Sequence, residues 1–149
     1  MKRLILEKLE KWKQSKRRKP LLLRGARQVG KTWVLKEFGN TFADGFVHID
    51  FDKQVEYRQF FEQTKDVKRI LDNLALATGK KITPKTLIIF DEIQACESAL
   101  NSLKYFYEDA PQYSVVGAGS LLGLKLASGF PVGKVEFLDM YPMTFTEFL

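Results

Sequence analysis

A chain of 149 residues, 45% hydrophobic and 28% charged, suits one globular domain with a buried core. A single cysteine, Cys96, excludes an internal disulfide framework and fits a reducing, cytoplasmic setting, while a single histidine, His48, argues against a multi-histidine metal site. The net charge of +6 is uneven: residues 1–19 hold nine of the 24 basic and two of the 18 acidic side chains, so a body with 15 and 16 follows a basic leader. No apolar run reaches the length of a membrane span, and Glu7 and Lys8 interrupt the short Leu-Ile-Leu before a signal-peptide core could form.

Ile5, Leu9 and Trp12 recur at helical spacing and predict an amphipathic helix over 2–15. The basic turn KQSKRRKP follows; it reads either as a solvated face or as a contact for nucleic acid or another acidic partner. LLLRG, after Pro20, reads as a short buried strand, and residues 31–38 as a helix stopped by Gly39-Asn40. FVHIDFD (46–52) alternates and gives a second strand, with Asp50 and Asp52 near its end. Helices are expected over 54–63 and 66–78, the second stopped by Gly79. TLIIFDE (86–92) is a continuous apolar run ending in two acids, as in a central strand buried on both faces. A helix from about 94 to 109 carries Leu100, Leu103 and Tyr107, followed by the strand YSVVGAGS (113–120). A short leucine-rich helical stretch and a last strand, KVEFLDM (134–140), complete the pattern. Strands alternating with helices predict an α/β fold, a parallel sheet covered on both sides. Ligands of such sheets bind outside the carboxyl ends of the strands, where the loop after Leu23, Asp91-Glu92 and Gly119-Ser120 would gather.

GARQVGKT, from Gly25 to Thr32, matches the phosphate-loop pattern in full. Gly25 and Gly30 supply backbone angles that other residues resist and let phosphate oxygens approach the amides of Ala26, Arg27, Gln28 and Val29. The helix start beyond them favours an anion, Lys31 can reach β- and γ-phosphates, and the Thr32 hydroxyl can ligate Mg²⁺. Chance supplies such a match in about one chain of this length in 200. Asp91, ending an apolar strand, stands where a carboxylate would hold the Mg²⁺ opposite Thr32. Glu92, one residue on, could polarise a water for attack on the γ-phosphate, which favours hydrolysis over phosphotransfer to a small substrate.

RGARQVGKT, LIIFDEIQ, GAGSLL and YPMTFTEFL together resemble the AAA-type ATPase domain of a prokaryotic family of ATP-binding proteins, over nearly all of residues 20–149. That resemblance implies the three-layer P-loop NTPase sandwich, a five-stranded parallel sheet of order 5-1-4-3-2 with helices on both faces, and Mg-ATP hydrolysis. It also implies that Ser120 is a polar sensor of the γ-phosphate or the attacking water. The residue's own position equally suits an N-cap before Leu121-Leu122. The family's glycine-arginine pair before the fifth strand is Gly133-Lys134 here, and lysine lacks the planar fork that grips a phosphoryl group from two sides. Arg27 is either a nearby cation or a solvent-exposed one.

Other residues carry structural expectations. His48 lies on an alternating strand and reads as structural, and Cys96 as inert on a helix. Trp33 packs beneath the sheet or stacks on adenine, with the first favoured. Asp50 and Asp52 read as solvated loop acids.

The expected activity is ATP hydrolysis with Lys31, Glu92 and Ser120 in catalytic roles, residues 25–33 on the nucleotide, and Thr32 and Asp91 on Mg²⁺. Turnover by this domain alone should be slow, with an arginine supplied by a protein partner or a neighbour in an oligomer. The alternative is a nucleotide-gated module whose basic leader, residues 1–19, docks nucleic acid or a protein with little hydrolysis. No Asn-Lys-x-Asp stretch reads guanine, and no arginine-rich lid suggests a small-molecule kinase. The ending TFTEFL begins an amphipathic segment without a stop, so a helical lid and a further domain are expected beyond Leu149.

Overall fold

A computed structural model describes residues 2–15, 18–25, 30–120 and 133–140. Chain order is helix α1 (Lys2–Gln14), strand β1 (Leu21–Gly25), α2 (Lys31–Gly39), β2 (Phe46–Asp50), a 3₁₀ turn (Val55–Arg58) running into α3 (Gln59–Glu62), and α4 (Val67–Thr78). Then come β3 (Leu87–Asp91), a second 3₁₀ turn (Ile93–Ala95), α5 (Glu97–Asp109), β4 (Ser114–Ser120) and β5 (Glu136–Met140). The five strands form one sheet in the order β5-β1-β4-β3-β2, every pairing parallel. This is the P-loop NTPase sandwich, with helices on both faces. No helix among the described residues is long and apolar enough to cross a membrane.

The alternation of strand side chains assigns each residue a face. Leu21 and Leu23 of β1 and Leu87 and Ile89 of β3 join Ile5, Leu9 and Trp12 of α1 and Val34, Leu35 and Phe38 of α2 in one buried cluster. Leu22, Ile88 and Phe90 point the other way, into a second cluster with α3, α4 and α5. Gly117 on β4 permits close packing on that second face, because a Cβ there would come within 2.9 Å of both Ile93 and Leu22 side chains.

Several element ends are tighter than the sequence pattern suggests. The strand expected to run to Asp52 stops at Asp50, whose Oδ1 accepts the backbone N–H of both Asp52 and Lys53 and turns the chain. The acid thus closes a turn, which accounts for it without a ligand. The strand expected to reach Glu92 stops at Asp91, because Glu92 adopts φ 49°, ψ 47°. The helix expected from 94 is a 3₁₀ turn and then α5, separated by extended Cys96. Cys96 is buried, and burial raises its thiol pKa against the lowering pull of the nearby backbone N–H groups. The leucine-rich stretch after Ser120 and the YPMTFTEFL ending lie outside the described residues.

The basic leader is partly committed to the fold. Trp12 Nε1 donates to Lys19 O at 2.7 Å, Arg18 donates to Lys13 O and Gln112 O, and Lys13 lies over the Phe42 ring. Lys134 pairs with Glu108 at 3.5 Å. It precedes β5 and therefore sits at the amino-terminal edge of the sheet, opposite the edge where Asp91 ends β3.

Candidate functional site

Strand parity brings the site together. Asp91 shares the face of Leu87 and Ile89, the face on which α2 packs, so its carboxylate meets the first turn of that helix. Thr32 Oγ1 donates to Asp91 Oδ2 at 2.5 Å. Gly30 caps α2 in the left-handed region, φ 82°, with no side-chain cap, and no acidic residue occupies the first turn. The amino-terminal N–H groups of α2 are thus uncapped by its N-cap residue, a local arrangement that favours an anion. Lys31 is buried, 6% exposed, and its Nζ donates to Gly25 O at 3.2 Å, reaching back across the loop mouth.

Asp91 is 3% exposed, and a buried carboxylate needs donors. Burial would raise its pKa, but hydrogen bonds from His48, Thr32 and the Glu92 N–H outweigh that and hold it below the usual carboxylate range. It is therefore ionised at neutral pH. One carboxylate and one hydroxyl are hard oxygen donors, and they suit a cation that keeps waters and takes its other ligands from phosphates, as Mg²⁺ does. Among the described residues no group of three or more His, Cys, Asp or Glu side chains gathers as an all-protein metal cage.

Glu92 is the one non-glycine among the described residues with positive φ, a conformation that costs about 1–2 kcal/mol for an L-residue. In this turn Gln94 Nε2 donates to Glu92 Oε2 at 2.7 Å. Gln94 Oε1 is buried and has no hydrogen-bond partner among the described residues. Ser120 ends β4 in register with Gly25, beside the start of the phosphate loop.

Of the residues singled out in the sequence, Gly25, Lys31, Thr32 and Asp91 stand together, with Ser120 next to Gly25 and Glu92 at the same strand edge. Ala26, Arg27, Gln28 and Val29 lie outside the described residues. Trp33 does not pack beneath the sheet: it is 48% exposed, because Lys31, Val34, Leu35 and Phe38 occupy the inward stripe of α2 and position 33 falls off it. His48, read in the sequence as structural, reaches Asp91, and Gln94, not singled out there, reaches Glu92. Alternation sets Phe46, His48 and Asp50 on the face of β2 opposite buried Val47 and Ile49, but the approach of His48 to Asp91 follows only from the pairing of β2 with β3.

The profile of the family described as AAA domain matches residues 17–149. No curated protein shows detectable sequence similarity to the chain. Among solved structures, the Walker-type ATPase PABY2304 of Pyrococcus abyssi superposes with a TM-score of 0.58 at 20% identity, over 95% of this chain and 53% of that one. ORC1 of Aeropyrum pernix, solved in complex with DNA, gives 0.60 at 14%, over 97% and 44%. AMPPCP-bound DnaA of Aquifex aeolicus gives 0.53 at 13%, over 91% and 43%. The chain thus spans about half the length of these structures, or less, and at such identities the likeness is one of fold. The match of the family profile to nearly the whole sequence, on a sheet of this order, makes the chain a member of the AAA domain family.

Proposed function

We propose that the chain binds ATP with magnesium and hydrolyses it. The observation that carries this reading is the contact of Thr32 Oγ1 with Asp91 Oδ2 beside buried Lys31, at the mouth of a loop of phosphate-binding sequence. The loop amides from Gly25 to Thr32 and the ammonium of Lys31 hold the β- and γ-phosphates. Thr32 and Asp91 would hold the magnesium ion, with Trp33 alongside the nucleotide. Magnesium bound there would neutralise negative charge on the nucleotide phosphates. Glu92 accepts a hydrogen bond from the attacking water and takes up its proton, while the Gln94 amide fixes the plane of the carboxylate. Ser120, beside Gly25, contacts the γ-phosphate or that water.

Turnover by this chain alone is slow in this reading. Arg24, the described arginine next to the loop, is held by both oxygens of Asp139. An arginine from a partner or a second copy would accelerate the reaction by ~10³–10⁵. The alternative of a nucleic-acid module working through the basic leader draws less support, because Lys13 and Arg18 are hydrogen-bonded within the fold.

Glu92→Gln tests the assignment. ATP affinity should stay close to that of the wild type, whereas phosphate release should fall by about 10²–10⁴. Unchanged phosphate release in that variant would refute the role of Glu92.

A further inference from the structure

His48 was expected to be a structural strand residue, yet its ring reaches the acid of the candidate magnesium site. His48 Nε2 lies 2.9 Å from Asp91 Oδ2, the oxygen that also accepts the Thr32 hydroxyl. The register explains the meeting. His48 pairs with Ile89, and Asp91 is two residues beyond Ile89 on the same strand and the same face. The two side chains are therefore diagonal neighbours on adjacent strands, within reach of a long side chain.

The chemistry fixes the direction of the bond. An ionised carboxylate only accepts, so Nε2 must carry the hydrogen and donate it. Asp91 then has donors on both oxygens: Thr32 and His48 on Oδ2, and the Glu92 N–H on Oδ1. A carboxylate held in this way has its rotation about χ2 stopped before any cation arrives. Side chains that orient a ligating carboxylate affect metal affinity about 10–100-fold without touching the metal. The His48 side chain keeps 19% of its exposure against 4% for Asp91, so a partly exposed ring meets a nearly buried acid.

We propose that His48 is a positioning residue that holds the Asp91 carboxylate in the orientation needed for magnesium-dependent nucleotide binding. The proposal rests on the ATP reading above. Its distinguishing feature is that the histidine acts on the magnesium-linked part of binding and not on the nucleotide as such.

The test uses AMPPCP, a non-hydrolysable nucleotide, titrated calorimetrically into the chain in EDTA and across a magnesium series. His48→Asn places an amide too short to reach Asp91, whereas His48→Gln carries an amide nitrogen near the position of Nε2. The asparagine variant should need about 10–100-fold more magnesium for half of the affinity gain, with metal-free binding unchanged. The glutamine variant should recover most of that loss. An unshifted magnesium requirement in His48→Asn overturns the proposal. So does a parallel fall of metal-free and magnesium-linked binding that tracks a lower melting temperature and is not rescued by glutamine, since that is a structural role. A wild-type chain with no magnesium-linked gain brings down the ATP reading, and the role of His48 with it. A normal wild type with an unshifted asparagine variant removes His48 alone.

Discussion

On the face of the sheet covered by α4 and α5, Phe90 touches three other rings, those of Phe51, Phe61 and Phe106, at centroid distances of 5.2–6.0 Å. On the face covered by α1 and α2, the neighbouring residue of the same strand, Asp91, meets Thr32 and His48. One step along β3 separates a ring that holds the sandwich together from an acid that faces the phosphate loop. The period of two makes this possible: each strand serves two surfaces, and the two can be set independently. At this end of β3 a packing ring and an acid of the candidate site thus stand on opposite sides of one backbone, although the face of Asp91 also carries a buried core.

Phe90→Ala should have the largest effect, on stability. Truncating a fully buried phenylalanine costs about 3–5 kcal/mol, through lost burial and the cavity left among three rings. Urea denaturation should register that loss, while AMPPCP affinity measured well below the melting temperature stays near the wild-type value. A variant of normal stability that no longer binds nucleotide would show that the two faces are not separable.

Gly30→Ala probes the polar face by the backbone alone. At φ 82° an alanine costs about 1–2 kcal/mol, and among the described residues the new Cβ would meet only Met140 Cε, at 4.0 Å. The expected result is a modest loss of stability together with a large loss of nucleotide affinity, because relief of the strained angle re-aims the loop amides. Retained affinity would mean that the loop tolerates another path.

The strands, the phosphate loop and the acid at the end of β3 were legible in the sequence because each leaves a local signature, whereas the strand order was implied only by the family resemblance. Apolar runs mark buried strands, and glycines at fixed spacing mark a loop that must approach phosphate. Residues whose meaning depends on strand pairing left no such mark. His48 becomes informative only once β2 is placed beside β3 with His48 opposite Ile89. Trp33 points outward because the buried stripe of this nine-residue helix runs through Lys31, Val34, Leu35 and Phe38, and so short a helix gives too few turns for its sequence to mark that stripe. Gln94 was hidden by a turn: a left-handed Glu92 brings side chains two residues apart into contact, which neither a helical nor a strand period anticipates.

Arg24 offers the smallest effect and the finest test of the division. By parity it belongs to the aromatic face, with Leu22, yet it is polar and lies one residue before Gly25. Its guanidinium is bidentate to Asp139, directly across on β5, at 2.7 and 3.1 Å, and lies 4.3 Å from the Phe137 ring centroid. Both members of the pair are 31% exposed, so water screens the attraction and solvates whatever is left behind. Pairs of this exposure contribute about 0–1 kcal/mol. Arg24→Ala should therefore cost less than about 1 kcal/mol in urea denaturation and leave magnesium-linked AMPPCP binding unchanged. A clear loss of nucleotide affinity at full stability would place Arg24 in the phosphate site and extend the chemistry to both faces at this end of the sheet.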